Sequence, residues 1–184
     1  GRAVLGIGRG DSALAHLGKA PAKVKTLEHY IQALQGYLRG EAVDFDELNF
    51  SEQVAPDVAT LGLADTPSFS QLKWLNDGDS KVPVEVASTG PRVIELAAKN
   101  AYRVVLALGA GVERLKWGVD LARETGAKQG KDVLIGAYVN MVCHPDIEAA
   151  RHLVQGGLST FARFSVMHGN VNGTISNDQK KVLD

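Results

Sequence analysis

The chain has 184 residues, 45% of them hydrophobic and 22% charged, with a formal net charge of −1; that is room for one domain with a sizeable core, with ordinary globular composition. The near-neutral balance gives no electrostatic pull toward nucleic acid or an anionic membrane surface, and the longest apolar runs, near Val104–Ala110 and Val133–Val142, are too short to span a membrane. A single cysteine, Cys143, excludes an internal disulfide and an all-cysteine zinc site; it fits a reducing compartment, so a cytoplasmic location is expected.

The first apolar run, Ala3–Gly8 (AVLGIG), reads as a strand and follows Gly1-Arg2 without an initiator Met; a longer natural gene product is the expectation. Pro21 stands where a first helical residue often stands, and the run to Arg39 puts Val24, Leu27, Ile31, Leu34 and Leu38 on one face before Gly40 stops it. Residues 41–82 break the rhythm. They hold Pro56, Gly62, Pro67 and the turn-like Asn76-Asp77-Gly78-Asp79, and read as an excursion with a short hairpin around Ala42–Phe50 rather than a separate domain.

The strand–helix rhythm then returns. Pro83–Ser88 (PVEVAS) is a strand, and Pro91 opens a helix with Ile94, Leu96, Ala97 and Ala98 inward. Arg103–Leu108 (RVVLAL) is the next strand, followed by a helix from Val112 to Glu124 that Gly126 ends. Val133–Val142 is the fourth strand, and a helix from Pro145 carries Ile147, Ala150 and Val154 inward. The tail from Gly169 is polar and turn-rich, without a convincing strand. Nearly continuous apolar strands separated by helices predict four parallel strands, near 3–8, 83–88, 103–108 and 133–142, adjacent in that order in one sheet.

Two loops at strand ends carry the chemistry. In Gly6-Ile7-Gly8-Arg9-Gly10-Asp11-Ser12, glycines let backbone N–H groups approach an anion, and Arg9 offers a planar charged contact to phosphate. The spacing is G-x-G-x-G and not the G-x-G-x-x-G of dinucleotide folds, and a plain tight turn is equally open. In Ser88-Thr89-Gly90-Pro91-Arg92 a helix N-terminus follows the strand, which suits either an anion or an ordinary cap with proline in the first turn. Parallel strands put both loops at one end of the sheet, where barrel active sites lie. The histidines His16, His29, His144, His152 and His168 show no metal-site spacing. Cys143 and His144 are strand neighbours that point to opposite faces, which argues against a nucleophile–base pair.

Leu5-Gly6-Ile7-Gly8-Arg9-Gly10-Asp11-Ser12-Ala13-Leu14 with Leu17-Gly18, then Pro83–Pro91 with Glu95-Leu96-Ala97-Ala98, Tyr102–Ala107, and Ile135–Val142 with His144-Pro145-Asp146, together resemble strands four to seven of the luciferase-like flavin and deazaflavin oxidoreductases. The methylenetetrahydromethanopterin reductase branch is the most similar. The resemblance covers about residues 1–154 and implies an α/β fold of (β/α)8 type, partial, in one domain over 1–184 that corresponds to the C-terminal half of a barrel. It implies FMN or coenzyme F-420 as cofactor, bound by Gly8, Arg9, Gly10, Asp11, Ser88, Thr89, Gly90 and Pro91, and either hydride transfer or monooxygenation on a small organic substrate. No catalytic residue is assigned, because in this family the isoalloxazine face and the substrate are served largely by the first three strands. The alternative is a non-catalytic flavoprotein or degenerate barrel that binds a phosphorylated ligand or a partner chain; a different phosphate-binding barrel is a third. With half a barrel, inward side chains including Val4, Val84, Val86, Val105 and Tyr138 or Val139 would lack facing partners. A second copy of the chain, or a completing segment, is therefore the expected cover.

Overall fold

The computed structural model describes residues 3–48, 51, 55–75, 82–167, 170–171 and 173–174, with side chains described up to residue 157 and at 173–174. The turn expected at Asn76–Asp79 and His168 lie outside the described residues. Contacts divide the chain into two compact units: Gly1–Leu5 with Arg9–Val84, and Gly6–Gly8 with Glu85–Asp184.

In the first unit, α1 (Asp11–His16) is followed by the long helix α2 (Val24–Leu38). The expected start at Pro21 is corrected: Lys23, with φ −60° and ψ 145°, is the extended residue at the helix start. The cause is local. Ala22 N–H donates to the Arg9 carbonyl at 3.0 Å, and Arg9 Nε donates back to the Ala22 carbonyl at 2.6 Å, which ties this stretch down as an extended lead-in. Leu27 and Ile31 are buried as the periodicity requires, and Ala33 and Gly36 are buried with them. Gly36 is small for a reason: a Cβ there would stand 2.9 Å from Val43 Cγ2. The helix closes through Gly40, at φ 75°, with Gly40 N–H on the Tyr37 carbonyl and Glu41 N–H on the Gly36 carbonyl. That is the paired C-terminal closure that a left-handed glycine permits.

Over the described residues 42–48, the hairpin expected around 42–50 does not form. β2 (Val43–Asp44) leads straight into α3 (Phe45–Leu48) and pairs antiparallel with β3 (Phe69–Ser70), which follows a 3₁₀ turn at Val58–Leu61. Side chains draw the distant segment in: Tyr37 OH and Ser70 Oγ are 2.6 Å apart, and Gln71 Nε2 donates to the Gly40 carbonyl at 2.6 Å.

A four-stranded sheet is the centre of the second unit. Its order is β1 (Leu5–Ile7), β4 (Val84–Ser88), β5 (Arg103–Leu106), β6 (Leu134–Ala137), the order predicted. β4–β5 and β5–β6 are parallel. At β1, Leu5 N–H bonds the Pro83 carbonyl and Gly8 lies against Ala87, so β1 runs the same way as β4. This is the partial (β/α)8 architecture, with α4 (Pro91–Asn100), α5 (Val112–Ala127) and α6 (Ile147–Ser165) after successive strands. Ile94, Leu96, Ala97 and Ala98 are all buried on α4, as expected, and α4 and α5 pack on each other and on β5. α5 runs past Gly126, which is a close-packing position rather than a stop: a Cβ there would meet Val133 Cγ2, and Lys131 O at 2.8 Å. α6 begins at Ile147 rather than Pro145, because Asp146 Oδ1 accepts from Glu148 N–H at 2.8 Å and so caps it. Ile147, expected inward, is exposed. A short antiparallel pair, Val166–Met167 (β7) with Asn170–Val171 (β8), lies where no strand was expected in the tail.

The two faces of the sheet differ. A Cβ on Gly118 of α5 would stand 3.1 Å from Leu106 Cδ1, so Leu106 faces the helices. Register puts Val86 and Ser88 beside Val104 and Leu106 on that face, and all four have zero exposure. The other face carries Glu85, Ala87, Arg103, Val105, Leu134 and Gly136. Val84 and Val86, expected to face inward without partners, are thus corrected to the helix-covered face: the alternation is shifted by one residue, and a one-residue shift exchanges the faces. On the opposite face Arg103 Nη1 pairs with Glu85 Oε1 at 2.5 Å, and the arginine's Cδ lies over Gly136. Among the described residues no helix is long and apolar enough to cross a membrane.

Candidate functional site

The carboxyl ends of β4 and β5 meet in the second unit. Ala107 N–H, just after β5, donates to the Ser88 carbonyl at 2.9 Å, so the turns at Ser88–Pro91 and Ala107–Gly111 are neighbours. Each opens a helix. α4 has Gly90 before it and Pro91 at its first position, and α5 has Gly111 before it. Neither start is capped by a side chain. Two uncapped N-termini side by side add their partial positive charges at one place and leave first-turn N–H groups for an anion. Gly8 lies on the same sheet end, where a Cβ would make ordinary contact with Ala87 at 3.7 Å.

Ser88 is fully buried, and its hydroxyl donates to the Val86 carbonyl at 3.2 Å. What Ser88 offers this end of the sheet is therefore its backbone. Thr89, Gly90 and Pro91 are half-buried, and a Cβ on Gly90 would meet nothing within 4 Å, so the space in front of the α4 start is open. Arg9, Gly10 and Asp11 belong to the first unit. There Arg9 Nε is engaged by Ala22, Gly10 takes the left-handed conformation before α1, and Asp11 Oδ1 is buried without a hydrogen-bond partner.

A family model for luciferase-like monooxygenases matches residues 1–181. The chain belongs to the luciferase-like monooxygenase family. No curated protein matches it. A solved structure similar to this luciferase-like chain is the coenzyme F-420-dependent tetrahydromethanopterin reductase from Methanopyrus kandleri, at 16% identity and TM-score 0.64, over 88% of this chain and 48% of that one. At that identity the likeness is one of fold, and this chain spans about half the length of the reductase.

Sequence reasoning passed over the third turn of this luciferase-like sheet end, Ala107–Gly111, and with it Arg114. The signal was present: Leu108-Gly109-Ala110-Gly111 follows an apolar strand as the other two glycine loops do. Arg114, in the first turn of α5, is 5% exposed, and its Nε and Nη2 are buried without partners. Burial pushes its pKa below the usual arginine value. Cys143 and His144 are exposed, and His144 Nδ1 accepts from Asp146 N–H at 3.0 Å as part of the loop before α6. Among the described residues no cluster of His, Cys, Asp and Glu could hold a metal. A concavity of about 500 Å³ in the first unit, lined by His29, Arg39, Glu41 and Glu47 among others, has its Arg39 and Glu41 charges paired with each other at 2.7 Å.

Proposed function

We propose that this chain is a flavin- or deazaflavin-dependent oxidoreductase of the luciferase-like family, or the cofactor-binding part of one, and that Ser88–Pro91 with Gly8 receives the phosphate of FMN or coenzyme F-420. The observation that carries the reading is the pair of uncapped helix starts, α4 and α5, held together at the carboxyl ends of adjacent parallel strands. Membership of the family supports the same cofactor class. The residues fit a phosphate: glycine at both helix starts, open space at Gly90 and, in the first turn of α5, the buried Arg114 with its Nε and Nη2 lacking partners among the described residues.

When bound, the cofactor supplies hydride transfer or oxygen chemistry, and the protein positions it. The chain's own contribution is backbone N–H groups aimed at the phosphate. Arg9, Gly10 and Asp11 belong to the reading through the family resemblance. Exposed apolar side chains on and after β6, Leu134, Tyr138, Val139 and Met141, support a cover for this edge, either a second copy of the chain or a completing segment. We place the protein in the cytoplasm, acting on a small organic substrate.

The test is a titration of the purified chain with FMN and with F-420, followed by absorbance, alongside Gly90→Asp. The aspartate fits the extended backbone of Gly90 (φ −110°, ψ 160°) and is a good helix cap, so folding is kept while its charge opposes phosphate. Saturable binding of one cofactor, weakened at least about tenfold (about 1.4 kcal/mol) in Gly90→Asp, is expected. Failure of both cofactors to bind, or unchanged affinity in the variant, overturns the proposal.

A further inference from the structure

α5 turns Arg114, Gly118, Ala122 and Thr125 onto its buried face. Gly118 on that face lies against Leu106 and Leu108 at the end of β5. Arg114 is one turn nearer the helix start, and helical side chains lean toward their own N-terminus. Its side chain therefore leans toward the α5 start, into which the Ala107–Gly111 turn leads. It is 5% exposed, with Nε and Nη2 both enclosed and lacking any acceptor. Enclosed cationic donors without acceptors are strongly unfavourable, and natural proteins keep such groups where a ligand or ion supplies the missing partner.

Among the described residues no carboxylate takes that role. Glu113, the acidic residue of the first α5 turn, is exposed, and Glu85 on the other face of the sheet is paired with Arg103. The turn has the backbone that an anion needs: Gly109 is left-handed at φ 78°, and Gly111 precedes the helix with no side-chain cap. Ala107 joins this turn to Ser88.

We infer that Arg114 is a binding residue of the phosphate site, and that the site extends from the α4 start across the Ala107–Gly111 turn to the α5 start, taking an anionic phosphate group between the two helix ends. The inference rests on the phosphate reading of Ser88–Pro91 and adds to it the group that supplies positive charge. The sign of the effect on the free protein follows. With no anion bound, the buried arginine is a destabilising charge, so removing it stabilises the free chain while removing the response to phosphate.

The experiment is thermal melting of the full chain in inorganic phosphate against chloride at equal ionic strength, for wild type, Arg114→Met, Arg114→Lys and Gly90→Asp. Phosphate is expected to raise the wild-type Tm. Arg114→Met is expected to melt at or above wild type in chloride and to lose most of the phosphate shift. Arg114→Lys, a point charge without the planar fork, is expected to lose at least half of it. A phosphate shift retained in full by both Arg114 variants overturns the inference; if Gly90→Asp alone loses the shift, the Ser88–Pro91 site stands without Arg114. An Arg114→Met chain that melts well below wild type in chloride, or does not fold, marks a structural arginine and also overturns it. If phosphate does not stabilise wild type, the inference fails, while the FMN and F-420 titration judges the cofactor site independently.

Discussion

Gly126 lies in the last turn of α5 with no room for a side chain. A Cβ there would meet Val133 Cγ2, and Lys131 O at 2.8 Å, the second of these a backbone atom. Alanine is favoured over glycine in a helix by about 1 kcal/mol, but overpacking against backbone costs about 1–3 kcal/mol. Gly126→Ala is therefore expected to destabilise, with a lower urea midpoint at an unchanged m-value; a raised midpoint would mean that the residue 131–133 connection yields freely. Arg9 poses a different question. Its Nε bond to the Ala22 carbonyl fixes the lead-in to α2, so Arg9→Ala is expected to cost about 0.5–1.5 kcal/mol of stability. If Arg9 also reaches phosphate, as the family resemblance implies, FMN affinity falls as well, by about 1–3 kcal/mol. Stability lost with affinity intact would assign Arg9 to the fold alone. These two residues also show the limit of a sequence read by itself. Glycine at 126 reads as a helix stop when its tight packing partner cannot be seen, and an arginine in a glycine loop reads as a phosphate ligand when the carbonyl that engages it is a dozen residues away.

At the scale of elements, α2 ends through a left-handed glycine that nothing else replaces cheaply. Gly40 sits at φ 75°, with the Leu75 carbonyl 3.4 Å from where a Cβ would stand. Gly40→Ala is expected to lower stability by about 1–2 kcal/mol, the cost of placing an ordinary residue in that conformation, as read by denaturant melts; no loss would show that α2 ends differently in solution. This stop was legible from the sequence, as were the four strands, their order and the buried face of α4, because apolar periodicity and glycine or proline boundaries are local signals. The start of α2 was not, because Ala22, next to Pro21, is tied to Arg9 by a long-range exchange of hydrogen bonds. Nor was the β2–β3 pair, whose strands are two residues each and are set by the Tyr37–Ser70 and Gln71–Gly40 bonds rather than by pattern. Face assignment failed for Val84 and Val86 because β4 alternates buried and half-buried residues while β5 is buried continuously from Val104 to Leu106, and only the register between them fixes the phase.

For the whole molecule, the family match runs over residues 1–181, and the sheet has the strand order of consecutive βα units in a barrel. The carboxyl-end turns at Ser88–Pro91 and Ala107–Gly111 were half legible: the first as a hydroxyl-glycine-proline start, the second only once the Ala107–Ser88 bond joined them. The central claim is that this sheet end recognises the phosphate of a flavin or deazaflavin cofactor. Its most direct test compares the affinity of the purified chain for the better bound of FMN and F-420 with its affinity for the same ring system lacking the phosphate arm, riboflavin for FMN and the bare deazaflavin core for F-420. The account predicts that removing the phosphate weakens binding at least about tenfold, or about 1.4 kcal/mol, and that the difference shrinks as salt rises. Equal affinity for the phosphorylated and unphosphorylated forms, at low salt and high, would contradict it.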